Sequence, residues 1–243
     1  MFNKRPEPRF LPAGDAGIVI EFGDAIDPSI NALVLGLDVA INAAQIPGII
    51  ETVPTYRSLL IQLDPLVLDI AHFSDRVRTL LHDLDVQAFK GRRWRVPVVY
   101  GGAFGIDLDD VAERHGVTPT HIIDRHSAAI YRVYMIGFMP GFTYLGGLDQ
   151  TIATPRRPDP RPITPAGTIS IGGIQALIAG AAMPSGWHLL GRTPVHTFMT
   201  QRDPVVLFAP GDEIVFTPID ASRWDVLAQD AAAGAPIAEV MTA

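Results

Sequence analysis

Residues 130–136 read Ile-Tyr-Arg-Val-Tyr-Met-Ile, and short runs of this kind recur along the chain as far as Pro218. Further runs lie at residues 168–171, 205–208 and 213–217, with glycines and prolines between them. Short β-branched and aromatic runs between Gly/Pro turns are typical of a closed or sandwiched β structure rather than of alternating strands and helices. We therefore predict a β-barrel or a β-sandwich over this part of the chain.

The residues before position 91 have a different pattern. It predicts a strand over 17–23, a helix that Asp27 caps, strands over 48–53 and 57–63, and a helix over 74–84 with Ser74 as its cap. The order β-α-β-β-α predicts a small α/β domain in which two helices cover one face of a sheet. The whole chain is thus expected to belong to the α+β class.

A polar segment, Lys90-Gly91-Arg92-Arg93, separates the two patterns. It predicts a linker between an N-terminal domain at residues 1–91 and a C-terminal domain at residues 92–243. The other elements expected in the second domain are a strand over 94–100, helices over 107–115 and 118–128 behind Asp and Thr caps, and a helical tail over 222–233.

The composition excludes several classes of protein. The chain has 243 residues, no cysteine and a formal net charge of −7, which excludes a disulfide scaffold and a thiolate nucleophile and argues against a general nucleic-acid binder. The longest stretch without Asp, Glu, Lys or Arg, residues 162–191, contains six glycines and three prolines and does not suit a spanning helix. No apolar leader follows Met1, so we expect a cytoplasmic protein with neither a nucleic-acid nor a membrane partner.

Arginine is concentrated in the β-rich part of the chain. From Arg132 to Arg192 there are five arginines and only two acidic residues, and a basic region in an acidic chain predicts a local anionic ligand. Phosphate-loop, dinucleotide-binding, zinc-protease and serine-hydrolase motifs are absent from the sequence. His121 and His126 would diverge on a helix, so we expect no metal to be bound by this chain.

The stretch Gly137-Phe-Met-Pro-Gly-Phe-Thr-Tyr-Leu-Gly-Gly147 has glycines four residues apart with a proline between them. This spacing predicts a rigid hairpin whose outward-facing amides, near Gly137 and Gly141, hold an anion or a carboxylate. Its aromatic side chains would form one wall of a pocket: Phe138, Phe142 and Tyr144. The alternative is a tight loop that only packs against the end of a barrel.

Two further stretches carry arginine and tryptophan between turn-forming residues. Residues 155–162 read Pro-Arg-Arg-Pro-Asp-Pro-Arg-Pro, which keeps the chain extended and predicts that Arg156 and Arg161 bind an anion. Residues 184–194 read Pro-Ser-Gly-Trp-His-Leu-Leu-Gly-Arg-Thr-Pro and predict a ligand-facing loop with Trp187 and Arg192. Alternatively, the first stretch is a solvated loop whose arginines pair with surface acids. In the second, Trp187 would then plug the core while Arg192 caps a strand end.

Together these motifs resemble the B subunit of the ATP-dependent 5-oxoprolinase, in a family that also includes allophanate hydrolase subunit 1 and the sporulation-kinase inhibitor KipI. The resemblance covers nearly the whole chain. The segments that carry it include Gly14-Asp15, Val53–Leu60, Val96–Gly102, His126, Tyr131–Val133, Gly137–Leu145, Pro155-Arg156, Arg161, Pro165–Ile169, Gln175, Gly186-Trp187, Gly191–Pro194 and Pro210–Asp212.

The resemblance implies a small N-terminal α/β domain followed by a cyclophilin-like β-barrel. It also implies association with the C subunit of 5-oxoprolinase, which is similar to allophanate hydrolase subunit 2, and with an A subunit of the LamB/YcsF type. That complex couples the hydrolysis of ATP, with Mg²⁺ as its expected counter-ion, to the opening of 5-oxo-L-proline to L-glutamate. We expect this chain to be inactive alone, because its sequence has no complete ATP-binding motif. The family leaves two alternatives open: a KipI-like inhibitor of a sensor histidine kinase, and a component of the allophanate hydrolase or urea carboxylase type.

The residues expected to act in catalysis are His126, Arg156 and Arg161. His126 is the titratable residue nearest the strand before Gly137, which suits a proton carrier, and the arginines suit a developing negative charge. The residues expected to bind substrate at the mouth of the barrel are Gly137, Phe138, Pro140, Gly141, Phe142, Tyr144, Gln175, Trp187 and Arg192.

The sequence departs from the family pattern in two places. Where the family commonly reads Gln-Thr-Gly-Ile-Tyr-Pro, residues 175–180 read Gln-Ala-Leu-Ile-Ala-Gly. Where it commonly reads Pro-Gly-Gly-Trp, residues 184–187 read Pro-Ser-Gly-Trp. We expect Ala176 and Ala179 to remove two hydroxyls from the pocket and Ser185 to restrict the backbone there, which leaves another amide substrate open.

Overall fold

The structure is a computed structural model that describes residues 7–84 and 91–241. The chain divides into two compact units at the boundary between residues 90 and 91. Residues 1–6, and Lys90 of the expected linker, lie outside the described residues. Each unit has its own sheet and its own apolar cluster.

The first unit combines a four-stranded antiparallel sheet with two helices. The strands are β1 (Arg9–Pro12), β2 (Gly17–Glu21), β3 (Ile49–Pro54) and β4 (Ser58–Leu63), in the spatial order β1-β2-β4-β3. The helices are α1 (Pro28–Ala43) and α2 (Ile70–His82). Leu33, Leu37 and Ile41 of α1 are buried against the sheet, as their spacing on one helix face predicts.

The second helix begins earlier than the sequence predicts. Asp69, rather than Ser74, is its N-cap, because the Asp69 carboxylate accepts a 2.9 Å hydrogen bond from the His72 amide. Ser74 lies inside the helix and donates to the carbonyl oxygen of Ile70. Aspartate is among the strongest capping residues, and the extra turn brings Phe73 into the apolar cluster. The edge strand β1 is a further element that the sequence pattern did not predict.

The second unit contains ten strands in the described residues. They are β5 (Arg93–Tyr100), β6 (Tyr131–Ile136), β7 (Thr143–Gly146), β8 (Arg161–Thr164), β9 (Thr168–Gly172), β10 (Gln175–Ile178), β11 (Met183–Ser185), β12 (His188–Arg192), β13 (Glu213–Pro218) and β14 (Glu239–Val240). Seven of them follow the order β12-β9-β10-β7-β6-β13-β5, and β5 closes the ring by pairing with β12. The closed β structure predicted for this half, and the cyclophilin-like barrel that the resemblance implies, are therefore confirmed. Strands β8 and β11 pair with each other as a separate ribbon.

The interior of the barrel is filled by alternate residues of its strands. Ile169, Ile171, Ala176 and Ile178 are fully buried in one cluster with residues of two helices, as the two-residue period of a strand requires. The helices of this unit are α3 (Leu108–His115), α4 (Pro119–Ala128) and α5 (Trp224–Ala232).

Two segments differ from the β pattern read from the sequence. Residues 205–208 are not a strand, and Val206 makes only an isolated bridge with Phe198. Residues 188–192, predicted as part of a ligand-facing loop, are instead strand β12, which pairs with β9 on one side and β5 on the other. Strand β12 closes the ring and is therefore buried between two neighbours. Apolar residues such as Leu190 suit this position.

Among residues 7–84 and 91–241, none of the helices combines the length and the apolar character needed to cross a bilayer.

Candidate functional site

A cavity of about 360 Å³ lies against the outer faces of strands β7 and β10. Tyr144 and Leu177 line it, and each alternates along its strand with residues that face the barrel interior. The ribbon of β8 and β11 and the segments beside it supply the opposite wall, including Met183 and Ser185. We call this cavity the aromatic cavity.

Four aromatic side chains form a continuous chain of ring contacts along the aromatic cavity. The ring centroids of Phe138 and Phe142 are 5.6 Å apart, and those of Phe142 and Tyr144 are 4.6 Å apart. Tyr144 in turn lies 6.5 Å from Trp187 in an edge-on arrangement. Edge-on and tilted ring pairs of this kind are favourable and hold the rings in fixed orientations. One wall of the cavity is therefore apolar and consists of rings that hold one another in place.

The loop between β6 and β7 places two of these rings. Phe138 has a positive φ of 69° and is 71% exposed, an uncommon combination for a bulky residue. The amide of Gly137 donates to the carbonyl oxygen of Phe142, and the amide of Phe142 donates to that of Met139. These amides close the turn, so they do not face outward to hold an anion as the sequence predicted for Gly137. Gly141 has a positive φ of 69° within this turn, and Pro140 lies at the exposed tip of the loop.

Among the described residues that line the aromatic cavity, Arg156 is the cation that has no carboxylate partner. Its guanidinium lies 5.2 Å from the centre of the Trp187 ring, a cation–π contact. None of the ion pairs formed within residues 7–84 and 91–241 involves Arg156. Its charge is therefore available to an anionic ligand in the cavity.

Arg161 is held by a buried carboxylate and is not available in the same way. It donates to both oxygens of Asp107 at 2.9 and 2.5 Å, and Arg157 Nη1 lies 3.4 Å from the same group. The amide of Leu189 also donates to Asp107, at 2.8 Å. Asp107 is only 1% exposed and is the N-cap residue of α3, as the sequence predicted, but its side chain makes no capping hydrogen bond to the helix. Two guanidinium groups and an amide are stronger partners for a buried carboxylate than a single cap amide.

Further hydrogen bonds fix the proline-rich segment to the barrel. His188 Nε2 lies 2.9 Å from the carbonyl oxygen of Pro155. The amide of Arg157 donates to the carbonyl oxygen of Gly186 at 2.7 Å. The segment that carries Arg156 is thus attached on both sides of that residue.

The departures from the family pattern affect this cavity differently from what the sequence predicted. Ala176 faces the barrel interior, Ala179 lies in the apolar layer with Phe142, and neither lines the cavity. Leu177, which stands between them, does line it. Ser185 also lines it, and its hydroxyl accepts a 3.1 Å hydrogen bond from the Trp187 amide. Ser185 therefore helps to place the tryptophan.

His126 does not lie in the aromatic cavity. It is fully buried, its Nδ1 lies 2.8 Å from the hydroxyl of Tyr100, and its ring stacks on Phe216 at 5.0 Å. Burial lowers the pKa of His126 to about 3. A histidine without access to ligand or solvent does not suit proton transfer at the cavity, so we leave it out of the proposed site. Gln175 begins β10 and is likewise not among the residues that line the cavity.

Arg192 lies in a different cavity, of about 330 Å³, which we call the Arg192 cavity. None of the described residues lines both cavities. The three arginines that the sequence grouped around one ligand are therefore separated: Arg156 faces the aromatic cavity, Arg161 pairs with Asp107, and Arg192 faces the second cavity.

The site residues expected from the sequence lack seven residues that line the aromatic cavity: Arg157, Pro160, Leu177, Met183, Pro184, Ser185 and Gly186. A period-two reading of residues 175–178 would have found Leu177, because it alternates with the inward-facing Ala176 and Ile178. No comparable sequence pattern marks Met183 as a lining residue. Within the described parts of the chain, no group of three or more His, Asp or Glu side chains is arranged to hold a metal ion.

Comparisons with known proteins agree on one family. Residues 8–208 match the family model of the carboxyltransferase domain, subdomain C and D. The 5-oxoprolinase B subunit of Bacillus subtilis is 34% identical over 225 residues, which cover 87% of this chain and 92% of the relative. The protein of the same name from Haemophilus influenzae is 43% identical over 69% of this chain and 78% of its own length. That of Escherichia coli O157:H7 is 33% identical over 84% of this chain and 93% of its own length.

Solved structures share the fold. The crystal structure of TTHA0988 has a TM-score of 0.75 at 33% identity, and the match covers 84% of this chain but only 40% of that longer chain. The conserved uncharacterized protein PH0987 of Pyrococcus horikoshii has a TM-score of 0.54 at 39% identity, covering 89% of this chain and all of that one. The urea amidolyase of Kluyveromyces lactis has a TM-score of 0.81 at 20% identity, covering 98% of this chain and 16% of that one, and shows the fold alone. Given the family match over residues 8–208 and the identity to these B subunits, this chain belongs to the carboxyltransferase C and D subdomain family, together with these 5-oxoprolinase B subunits.

Proposed function

We propose that this chain is the B subunit of an ATP-dependent 5-oxoprolinase, a complex that opens 5-oxo-L-proline to L-glutamate with the help of its A and C subunits. The relatives with that name support the proposal, since they are 33–43% identical over 69–87% of this chain. The single structural observation that carries it is the aromatic cavity with Arg156 at its edge.

The chemistry of the cavity suits a small cyclic carboxylate. 5-Oxo-L-proline is a five-membered lactam with one carboxylate, and the cavity of about 360 Å³ is at the small end of the usual range for ligand pockets, about 300–1,000 Å³. Arg156 would hold the carboxylate, since a guanidinium binds that group through two parallel hydrogen bonds. The rings of Phe142, Tyr144 and Trp187 would pack on the faces of the lactam and exclude water from it.

The reaction itself adds water to the lactam carbonyl carbon and breaks the bond from that carbon to nitrogen, so that a carboxylate and an amine result. Resonance makes this amide unreactive, and coupling to ATP hydrolysis supplies the driving force. The part of this chain, in the proposal, is to bind and orient the lactam. A ring held between fixed aromatic walls loses its freedom of orientation before the reaction, which lowers the barrier.

The aromatic cavity does not by itself suit ATP. A triphosphate is usually held by several cations and backbone amides together with Mg²⁺, which requires carboxylate ligands. Among the described residues that line the cavity, Arg156 alone is a cation without a carboxylate partner, and no acidic side chain lines it. We therefore assign the ATP site to a different component of the complex, or to a surface completed by one, and expect the isolated chain to be inactive.

The test is ATP-dependent formation of L-glutamate from 5-oxo-L-proline by this chain co-expressed with the A and C subunits. We expect activity from the complex and none from this chain alone. Substituting Arg156→Gln should lower kcat/KM roughly ten- to hundredfold, because it removes one charge-assisted contact. The matched control is Arg114→Gln, which removes an exposed arginine of α3 outside the cavity and should change little.

Two results would contradict the proposal. Equal losses of kcat/KM in the Arg156→Gln and Arg114→Gln complexes would show that the aromatic cavity is not the substrate site. Absence of glutamate formation by a correctly assembled complex would reject the activity, and the same preparation would then be assayed for inhibition of histidine-kinase autophosphorylation and for turnover of urea. Those two assays correspond to the alternatives that the family leaves open.

A further inference from the structure

We propose that the Arg192 cavity is a second ligand site of this chain, which binds a small organic carboxylate independently of the aromatic cavity. The inference goes beyond the proposed function and does not depend on it, because it rests on the charge, contacts and shape of a separate cavity.

The first observation is a charge without a partner. Several arginines of the second unit pair with acidic residues, as in Arg92–Asp212, Arg93–Glu213 and Arg161–Asp107. Within residues 7–84 and 91–241, none of the ion pairs involves Arg192. Partial burial also lowers the pKa of Arg192, and no acidic group among the described residues offsets this effect. A partly buried, uncompensated cation in a cavity is costly unless an anion binds beside it.

The second observation is that the guanidinium is already held in one orientation. Its Nε and Nη2 atoms donate to the carbonyl oxygen of Ala166 at 3.3 and 3.1 Å. One face lies 4.8 Å from the ring centre of Trp224, the first residue of α5. No hydrogen bond from Nη1 is formed to any of the described residues. A guanidinium fixed in this way loses little entropy when its remaining donors bind a ligand.

The third observation is the rest of the lining, which selects the class of ligand. Val195, Phe198 and Ala228 provide apolar surface, and the volume of about 330 Å³ suits a molecule of amino-acid size. Among the described lining residues, Arg192 is the single Arg or Lys, so one negative group can be matched but not a chain of phosphates. The cavity thus fits a carboxylate on a short carbon skeleton.

Tryptophan side chains provide a separate reporter for each cavity. The chain has three tryptophans: Trp187 lines the aromatic cavity, Trp224 lines the Arg192 cavity, and the buried Trp94 donates its indole N–H to Asp212. In ¹⁵N-labelled full-length protein, the three indole N–H signals are assigned by single Trp→Phe substitutions. Glutarate is then titrated to millimolar concentration, with glutaramide, which has the same skeleton without the charges, as the matched probe.

We expect glutarate, but not glutaramide, to shift the Trp224 signal in a saturable manner. Arg192→Gln should weaken the affinity reported by Trp224 at least tenfold, a loss of about 1.4 kcal/mol. Arg156→Gln should leave that affinity unchanged, while an unchanged Trp94 signal reports an intact fold. Because the wild-type titration needs no variant, a folding defect in Arg192→Gln would not prevent the test.

Three outcomes would overturn the inference. The first is a Trp224 signal that does not respond to glutarate at any concentration used. The second is a response that persists at full affinity in folded Arg192→Gln protein. The third is a stronger response to inorganic phosphate than to glutarate, which would show a site for phosphate rather than for a carboxylate.

Discussion

His126 is a buried imidazole enclosed by aromatic rings and has no solvent-exposed atom to take up a proton. Its side chain contacts Tyr100, Tyr131 and Phe216, and its Nε2 has no hydrogen-bond partner among the described residues. Burial lowers its pKa to about 3, against about 6.5 in an unfolded chain. The residue therefore contributes to the pH dependence of stability rather than to catalysis.

The unfolded state binds more protons at His126 than the folded state between pH 6.5 and 3, so stability rises with pH across that window. The contribution of neutral His126 to the free energy of unfolding is complete above pH 6.5. It is lost as the pH falls, by at most about 1.4 kcal/mol per pH unit. Urea unfolding at pH 7 and pH 5 measures it. In His126→Gln, which does not titrate, the decrease between these two pH values should be smaller than in the wild type; an equal decrease would contradict the buried, neutral histidine.

The two glycines of the β6–β7 loop differ in what a side chain would meet. At Gly141, φ is +69° and an added Cβ would lie 2.6 Å from Thr197 Oγ1 and 2.8 Å from Phe198 Cβ. At Gly137 the nearest atom, in Met135, would be 3.8 Å away. Gly141→Ala should therefore lower the free energy of unfolding by about 2–4 kcal/mol, through strain and overpacking.

Gly137→Ala is the matched control in the same loop. It should change the free energy of unfolding by less than about 1 kcal/mol, because the added methyl would meet only the side chain of Met135, at an ordinary van der Waals distance. Urea denaturation of both variants gives the comparison. Similar losses in the two variants would mean that the loop does not pack against residues 197 and 198 as described.

At the scale of secondary-structure elements, Asp107 connects the start of α3 to the proline-rich segment and to the first residue of β8. Its carboxylate takes hydrogen bonds from Arg157, Arg161 and the amide of Leu189 in β12. Asp107→Asn removes the charge at nearly constant volume and leaves two partly buried arginines without their counter-ion. We expect the free energy of unfolding to fall by about 2–4 kcal/mol.

Asp110→Asn controls for the loss of a negative charge from the same helix, because Asp110 is exposed on α3. Asp110→Asn should change the free energy of unfolding by no more than about 0.5 kcal/mol. Urea titrations of the two variants at pH 7 make the comparison. A loss that is equally small for Asp107→Asn would show that the buried ion pairs do not hold the segment.

At the scale of the whole molecule, each unit has an apolar cluster made from its own residues. One cluster draws on residues between Ile18 and Val77, and the other on residues between Trp94 and Ala238. A unit with its own core is expected to fold alone. All three tryptophans lie in the second unit, so a fragment of residues 91–243 should show the tryptophan emission maximum and the cooperative unfolding of the full chain. Red-shifted emission without a cooperative transition would contradict the prediction.

The local signals of the sequence were enough to predict most of the elements. Asp27 and Thr118, each followed by a proline, cap α1 and α4, and the β-branched runs at 131–136 and 213–217 are barrel strands. Caps, alternation and Gly/Pro turns act within a few residues. The aromatic residues expected to form a pocket wall do line one cavity together, since Phe138, Phe142 and Tyr144 are close neighbours in the sequence.

The sequence by itself determined the class of fold, the family and the residue types available to bind an anion. The tertiary structure alone decided which arginines remain available to bind a ligand, because the acidic partner of an arginine can come from a distant part of the sequence. Asp107 neutralises Arg161 from 54 positions away, Arg192 faces a cavity of its own, and His126 is enclosed by strands that are distant in sequence. Burial and pairing depend on the closure of the barrel, and no local pattern of residues encodes them.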